Sequence, residues 1–203
     1  MKREKINTDY TQIRYNCLCP LDNREQIDDT NLNGIEYISE YNGEIFNFGD
    51  EENDDIVLAK FKFSIVYGDD NTIYETLDNQ SEYTSQFGEE IYDYDEVCDY
   101  MFVKEEYDDL LMFNKFIILD EVKIKEQYRG QGLIKNFINT LNRMYGLPII
   151  LKPFPLQYQP TNDNDEYIKS LPPIKGAMKK VVDSYKKCGF RKVKRNSEFM
   201  ILV

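Results

Sequence analysis

The sequence predicts an α/β chain of the α+β kind, a hairpin and closing strands set among helices. Three observations predict it. Residues 56–67 (IVLAKFKFSIVY) alternate like a strand of an antiparallel hairpin. Phe116 to Tyr145 reads as strand, glycine turn and helix: Phe116, Ile117, Ile118, Leu119, Val122 and Ile124 lead into Gly130 and Gly132. Leu133, Phe137, Ile138, Leu141, Met144 and Tyr145 then fall at the spacing of one buried helical face. Finally, Ile174, Met178, Val181 and Val182 give a second helical stripe, stopped by Gly189 and followed by two short closing runs.

In chain order, residues 10–20 predict a first strand ended by Pro20, and residues 21–40 are polar with weak helical signs from Ile27 to Ile38. A hairpin is expected from Gly43 to Tyr67, with Glu44 to Phe48 as one arm, an acidic turn from Gly49 to Asp55, and Ile56 to Tyr67 as the other. Lys60, Lys62 and Ser64 alternate with Phe61, Phe63 and Ile65 in the second arm, which predicts one wet face. From Gly68 to Phe113 the chain is rich in Tyr, Asp and Glu. Its apolar positions, Phe87, Ile91, Tyr94, Val97, Met101 and Leu110, predict short acidic helices interrupted by turns. In Leu147 to Tyr158, Pro148 can start a strand, but Pro153 and Pro155 cannot donate ladder hydrogen bonds, so pairing must fail beside them. Gln159 to Glu166 reads as a mobile loop, and Phe190 to Lys194 and Glu198 to Val203 as the closing strands. No internal repeat is visible.

At 203 residues the chain is expected to form one domain, 1–203, with the acidic segment at about 68–113 as an insertion or acceptor-side element. The charged N-terminus has no apolar run behind it, and no stretch approaches the roughly 18 apolar residues of a membrane span. A soluble, cytoplasmic protein without membrane contact is expected. Cys17, Cys19, Cys98 and Cys188 lack CxxC spacing and there is no histidine, so free thiols and no metal are expected. The missing histidine also excludes Ser-His and Cys-His nucleophile systems.

The net charge of −12 is unevenly spread: residues 1–110 hold 29 of the 37 acidic residues and only 8 of the 25 basic ones. Nucleic-acid binding through a basic face is disfavoured by that balance. An acidic half raises the local concentration of a cationic partner, or simply keeps the protein soluble.

The turn at Gly130 and Gly132 admits several anion-binding readings. A Walker A loop needs Gly-Lys-Ser/Thr, but Leu133, Ile134 and Lys135 follow Gly132. A dinucleotide fingerprint needs a third glycine where Lys135 stands and an acidic residue about 20 positions on, where Pro148 to Leu151 stand. Neither fits. Gln127-x-x-Gly130-x-Gly132, with Arg129 inside it and a strand before it, resembles the acyl-CoA pyrophosphate loop of the GNAT superfamily of N-acetyltransferases, Gln/Arg-x-x-Gly-x-Gly/Ala. Glycines allow positive φ and close approach of backbone amides to the diphosphate. A Gly-x-Gly turn before a helix is also, taken alone, an ordinary β-to-α turn. The second motif, Tyr185-Lys-Lys-Cys-Gly-Phe190, is similar to the family's Tyr-Glu-Lys-x-Gly-Phe stretch, with Lys186 in place of the acidic residue. The two motifs, in this order, rest on about the last 90 residues.

The resemblance implies a mixed, mostly antiparallel central sheet flanked by helices and splayed between the cofactor strand and the next one, with pantetheine bonded to backbone near Val122, Lys123 and Ile124. It implies that Gln127, Tyr128, Arg129, Gly130, Gln131, Gly132 and Leu133 hold the CoA diphosphate, and that Tyr185 protonates the departing CoA sulfur. The implied activity is direct acetyl transfer from acetyl-CoA, as cosubstrate, to a primary amine: a small cationic molecule, or a lysine or N-terminal amine of a protein. A base must deprotonate the ammonium. Asp120 and Glu121 are the candidates, Glu121 preferred, and the alternation of a strand allows only one of them into the cleft. An alternative reading is a GNAT-fold protein that binds acyl-CoA, or has lost catalysis, and engages a basic protein partner through its acidic half. A third is an acidic DNA mimic. A homodimer is compatible with all of them.

Overall fold

The computed structural model describes residues 6, 11–18, 38–48, 55–68, 70–95, 99–102, 115–158, 169–193 and 195–203. In chain order these form β1 (Thr11–Leu18), β2 (Ile38–Asn47), β3 (Ile56–Tyr67), α1 (Asp70–Gln80), α2 (Glu82–Ile91), β4 (Tyr92–Asp95), β5 (Asp99–Phe102), β6 (Lys115–Ile124), α3 (Leu133–Tyr145), β7 (Ile149–Leu151), α4 (Ile174–Lys187), β8 (Arg191–Lys192) and β9 (Met200–Leu202). Seven strands make one sheet in the order β1-β2-β3-β6-β7-β9-β8, antiparallel except for the β6–β7 pair, while β4 and β5 form a separate hairpin. This is the mixed, mostly antiparallel sheet flanked by helices that the resemblance implies.

Alternation along the strands divides the core between the two faces of the sheet. Ile117 and Leu119 of β6 join Phe61, Phe63 and Ile65 of β3 on the face covered by α3, through Leu133, Phe137, Ile138 and Leu141, and by the end of α4, through Tyr185. Phe116 and Ile118 point the other way, to Val66 and to Ile73, Leu77, Phe87 and Ile91 of α1 and α2. Phe63 and Phe137 each lie against Phe61 with centroids 6.0 and 4.6 Å away, so the first face is aromatic where β3 meets α3. Gly43 of β2 allows the β1–β2 pair to close over that aromatic layer. A Cβ there collides with the Arg14 carbonyl oxygen and the Phe61 ring. Gly43→Ala is therefore expected to lose about 1–3 kcal/mol of stability, measured by urea unfolding. A variant as stable as wild type would show that β1 yields easily.

Two irregularities in β6 matter more than its length. Lys62 pairs with Glu121 and Phe63 with Leu119, so Asp120 is an extra residue bulged out of the β3–β6 ladder. On its other edge β6 pairs with β7 only at Ile117–Ile149 and Ile118–Ile150. β7 ends at Leu151, and Pro153 and Pro155 follow. The edge of β6 beyond its bulge is thus left apart from β7, which is the expected splay.

Several expectations need correction. Tyr94 and Met101 lie in the β4–β5 hairpin rather than in a helix; Phe87 and Ile91 are helical and buried. Ser64 is 7% exposed because α1 and α2 cover that end of the face expected to be wet. Met144, at 47%, and Ile174, at 41%, are exposed on helices expected to bury them, and only Tyr185 of α4 is fully packed. The second arm of the hairpin is as expected, but β2 starts earlier, at Ile38. The closing strands shrink to β8 and β9. The helical signs up to residue 37, most of the acidic turn, Val97, Leu110, Cys19, Cys98 and the loop after Tyr158 lie outside the described residues; Cys17 and Cys188 are not joined in disulfides. No described helix is long and apolar enough to cross a membrane.

Candidate active site

The chain leaves β6 through one 3-10 turn, Glu126–Tyr128, anchored by the buried Tyr128. Gly130 and Gly132 follow at φ 77° and 82°, where a Cβ is costly. Gly132 is also the residue that opens α3, and neither a capping side chain nor an acidic residue occupies the first turn. The first amides of α3 therefore have no helical acceptor, and the positive end of the helix dipole is uncovered. A Cβ placed on Gly132 meets nothing within 4 Å, so the space before these amides is open. Backbone donors, a dipole and open space make an anion site.

The side chains around it divide into two groups. Gln131 is turned inward, accepting from the Ile6 amide at 2.9 Å and donating to the Gln127 carbonyl at 3.4 Å, so it braces the loop. Arg129 is exposed, and its Nε donates to the Ile124 carbonyl at 3.1 Å, which pins the guanidinium at the end of β6. Leu133 and Tyr128 are buried and can offer only backbone. Of the predicted backbone contacts, Val122 packs on the α3 side, Lys123 is exposed, and Ile124 has a carbonyl already engaged by Arg129. Arg129, Gly130, Gly132 and the Leu133 amide are thus brought together, with Gln127, Tyr128 and Gln131 as their support.

At the bulge the strand's alternation is reset. Asp120 lies on the α1–α2 face, where the buried Ser64 hydroxyl donates to its Oδ2 at 3.3 Å. Glu121 pairs with Lys62 and comes to the same face. Adjacent residues of a strand share one side here, which the sequence argument for a single inward carboxylate did not foresee. Desolvation raises the Asp120 carboxyl to about 6, against the lowering pull of the Lys62 ammonium and the Ser64 hydrogen bond, with Glu40 and Glu121 adding to the rise. A carboxyl raised toward neutrality by burial has the tuning of a general base.

Two tyrosines are raised as well. Tyr185, on α4, is 9% exposed, and burial pushes its phenol up to about 12, with Cys188 adding to the rise. It stays protonated across the physiological range and can act as a donor. Tyr83, on α2, is raised by desolvation and then by the charges of Asp120 and Tyr185. α2 and α4 cover opposite faces of the sheet, so Tyr83 and Tyr185 approach it from its two sides. Tyr83 was not singled out in the sequence, and no spacing marks it in the Tyr-rich acidic segment.

An open cavity of about 620 Å³ lies farther along α2, beyond the end of β7, lined by Gln86, Glu89, Lys152, Arg195 and Phe199 among others. Lys152 is held there by Gln86 at 3.0 Å and Glu198 at 2.9 Å. Neither the glycine loop nor Asp120 and Tyr185 line it. Among the described residues there is no group of three or more potential metal ligands.

No family model matches the chain, and no curated protein matches it. Among solved structures, the chain is similar to a tyrosine-to-phenylalanine mutant of KacT, at 11% identity over 82% of this chain and 71% of that one, with a TM-score of 0.39. It is also similar to AtaTR bound with acetyl-CoA, at 11% identity over 96% and 94%, with a TM-score of 0.38. A third is a tyrosine-to-phenylalanine mutant of the AtaT toxin bound to the C-terminus of the antitoxin AtaR and acetyl-CoA, at 10% identity over 94% and 92%, with a TM-score of 0.35.

Proposed function

We propose that this protein is an acetyl-CoA-dependent N-acetyltransferase of the GNAT type, moving an acetyl group directly to a primary amine. The observation that carries the proposal is an open, glycine-entered helix N-terminus that follows β6, the strand that also carries the buried Asp120 and that parts from β7 after Ile118. The loop residues Arg129, Gly130, Gly132 and Leu133 would hold the diphosphate. The edge of β6 that β7 leaves unpaired, from its bulge to Lys123, would take the pantetheine arm as a β-like partner.

In the proposed reaction the amine enters from the α1–α2 side, where Glu40, Asp120 and Glu121 outnumber Lys62. A cationic amine is favoured there. Asp120 takes the ammonium proton, the neutral nitrogen attacks the thioester carbonyl, and the C–S bond breaks as the Tyr185 hydroxyl gives its proton to the thiolate. Asp120 takes the place of Glu121 as the proposed base, because burial raises its carboxyl and the Ser64 hydroxyl holds it in position.

The test is thiol release from acetyl-CoA over a panel of polyamines, amino sugars, amino acids and lysine peptides. Release with one amine class is expected, and Tyr185→Phe should lower kcat about 10²-fold with KM for acetyl-CoA little changed. Binding of acetyl-CoA without release on any amine would instead favour the binding protein. An unchanged kcat in Tyr185→Phe would remove the phenol from the mechanism.

A further inference from the structure

Lys62 lies on the face of the sheet that carries the proposed base. It lies on β3, directly across from Glu121 at the bulge, and two residues before Ser64 on the same face. Ser64 in turn holds Asp120 at 3.3 Å, so the Lys62 side chain runs beside the proposed base. Its ammonium lies 3.7 Å from Glu40 Oε2 and keeps 42% of its side-chain surface in contact with solvent. Glu40 is also touched by Gln80 of α1 at 3.4 Å, so the wall of this recess is built from β2, β3, β6 and α1 together.

Other described lysines are placed differently. Lys60 pairs across the ladder with Lys123 and reaches Glu44, at the β1 side of the sheet. Lys152 is tied to Gln86 and Glu198. Lys175, Lys179, Lys180, Lys186 and Lys187 are exposed along α4.

We infer that Lys62 is an intramolecular acetyl acceptor, so that the protein acetylates its own Lys62 from acetyl-CoA when no external amine fills the recess. The inference rests on the proposed acetyl transfer and deepens it, since it identifies one amine that the recess accepts. The chemistry is that of the main reaction. Asp120 takes a proton from the Lys62 ammonium, Nζ attacks the thioester carbonyl, the C–S bond breaks, and Tyr185 protonates the CoA thiolate. The products are Nζ-acetyl-Lys62 and free CoA.

The product changes the recess. Acetylation removes the lysine charge, leaving Glu40 without this ion pair and Asp120 without the cation that lowers its pKa. The recess becomes more negative, and the ionisation of Asp120 moves to higher pH. Self-acetylation would therefore sharpen the preference for cationic amines and shift the acid limb of the rate profile upward.

The experiment incubates the full chain with acetyl-CoA and no added amine and follows each lysine peptide by mass spectrometry. The exposed lysines of α4 report the background of spontaneous acetylation. Lys62 is expected to exceed that background by about 10²-fold, with a rate constant independent of protein concentration, and to fall to background in Tyr185→Phe. Lys62→Arg keeps the charge and should abolish the early CoA release seen without acceptor. Lys62 at background, in protein that releases CoA on an added amine, would overturn the inference while leaving the transferase intact. A rate constant that rises with protein concentration would overturn the intramolecular route. Absence of acetyl-CoA binding would overturn both.

Discussion

Asp120→Asn is expected to lower kcat by about 10²–10⁴-fold, the range of a lost general base, while acetyl-CoA affinity stays near that of wild type. The wild-type rate should rise with pH through about 6, as Asp120 ionises, and this limb should vanish in the variant. The same substitution should stabilise the fold. A carboxyl raised from 3.8 to about 6 in the folded state binds its proton more tightly there than in the unfolded chain. Its ionisation therefore costs folding free energy above pH 6, about 2–3 kcal/mol for a shift of about two units, and the cost disappears below the unfolded value. Asp120→Asn should thus gain stability at pH 7 and gain none at pH 3. Urea unfolding at both pH values, beside the rate profile, checks the pair of effects. An inactive variant that is also less stable at pH 7 would mean that Asp120 serves packing rather than proton transfer.

Gly132→Val is expected to weaken acetyl-CoA binding by more than tenfold. The position sits at φ 82°, where a β-branched residue is strained by about 1–2 kcal/mol, and the new side chain would stand in the open space before the α3 amides. Relief of the strain would turn the Gly132 peptide and break the run of donors. The cost falls on the loop, since no neighbour is close enough to be displaced. Titration of wild type and variant with CoA lacking the acetyl group isolates this effect from catalysis. Equal affinities would move the diphosphate away from Gly132.

The parts of the site legible in the sequence were those set by backbone rules. Gly130 and Gly132 announced positive φ, Pro153 and Pro155 announced the end of β7, and the spacing of Leu133, Phe137 and Leu141 announced α3. The base was not legible, because Asp120 and Glu121 are neighbours of one chemistry. What separates them is a bulge created by the register between β3 and β6, a long-range property that local alternation cannot carry. Tyr83 was hidden for a similar reason: its electrostatic link to Asp120 depends on α2 packing over a strand more than 30 residues away in sequence. The exposure of Ile174 and Met144 was misread because amphipathic spacing fixes which face of a helix turns inward, not how deeply it sinks.

The central claim is that the β6–α3 loop binds acetyl-CoA, and calorimetric titration of the full chain with acetyl-CoA tests it most directly. Saturable one-to-one binding in the micromolar range is predicted, lost in Gly132→Val and retained in Asp120→Asn. A folded protein that gives no binding heat at several temperatures, and no thermal shift with excess acetyl-CoA, would contradict the cofactor assignment and everything built on it.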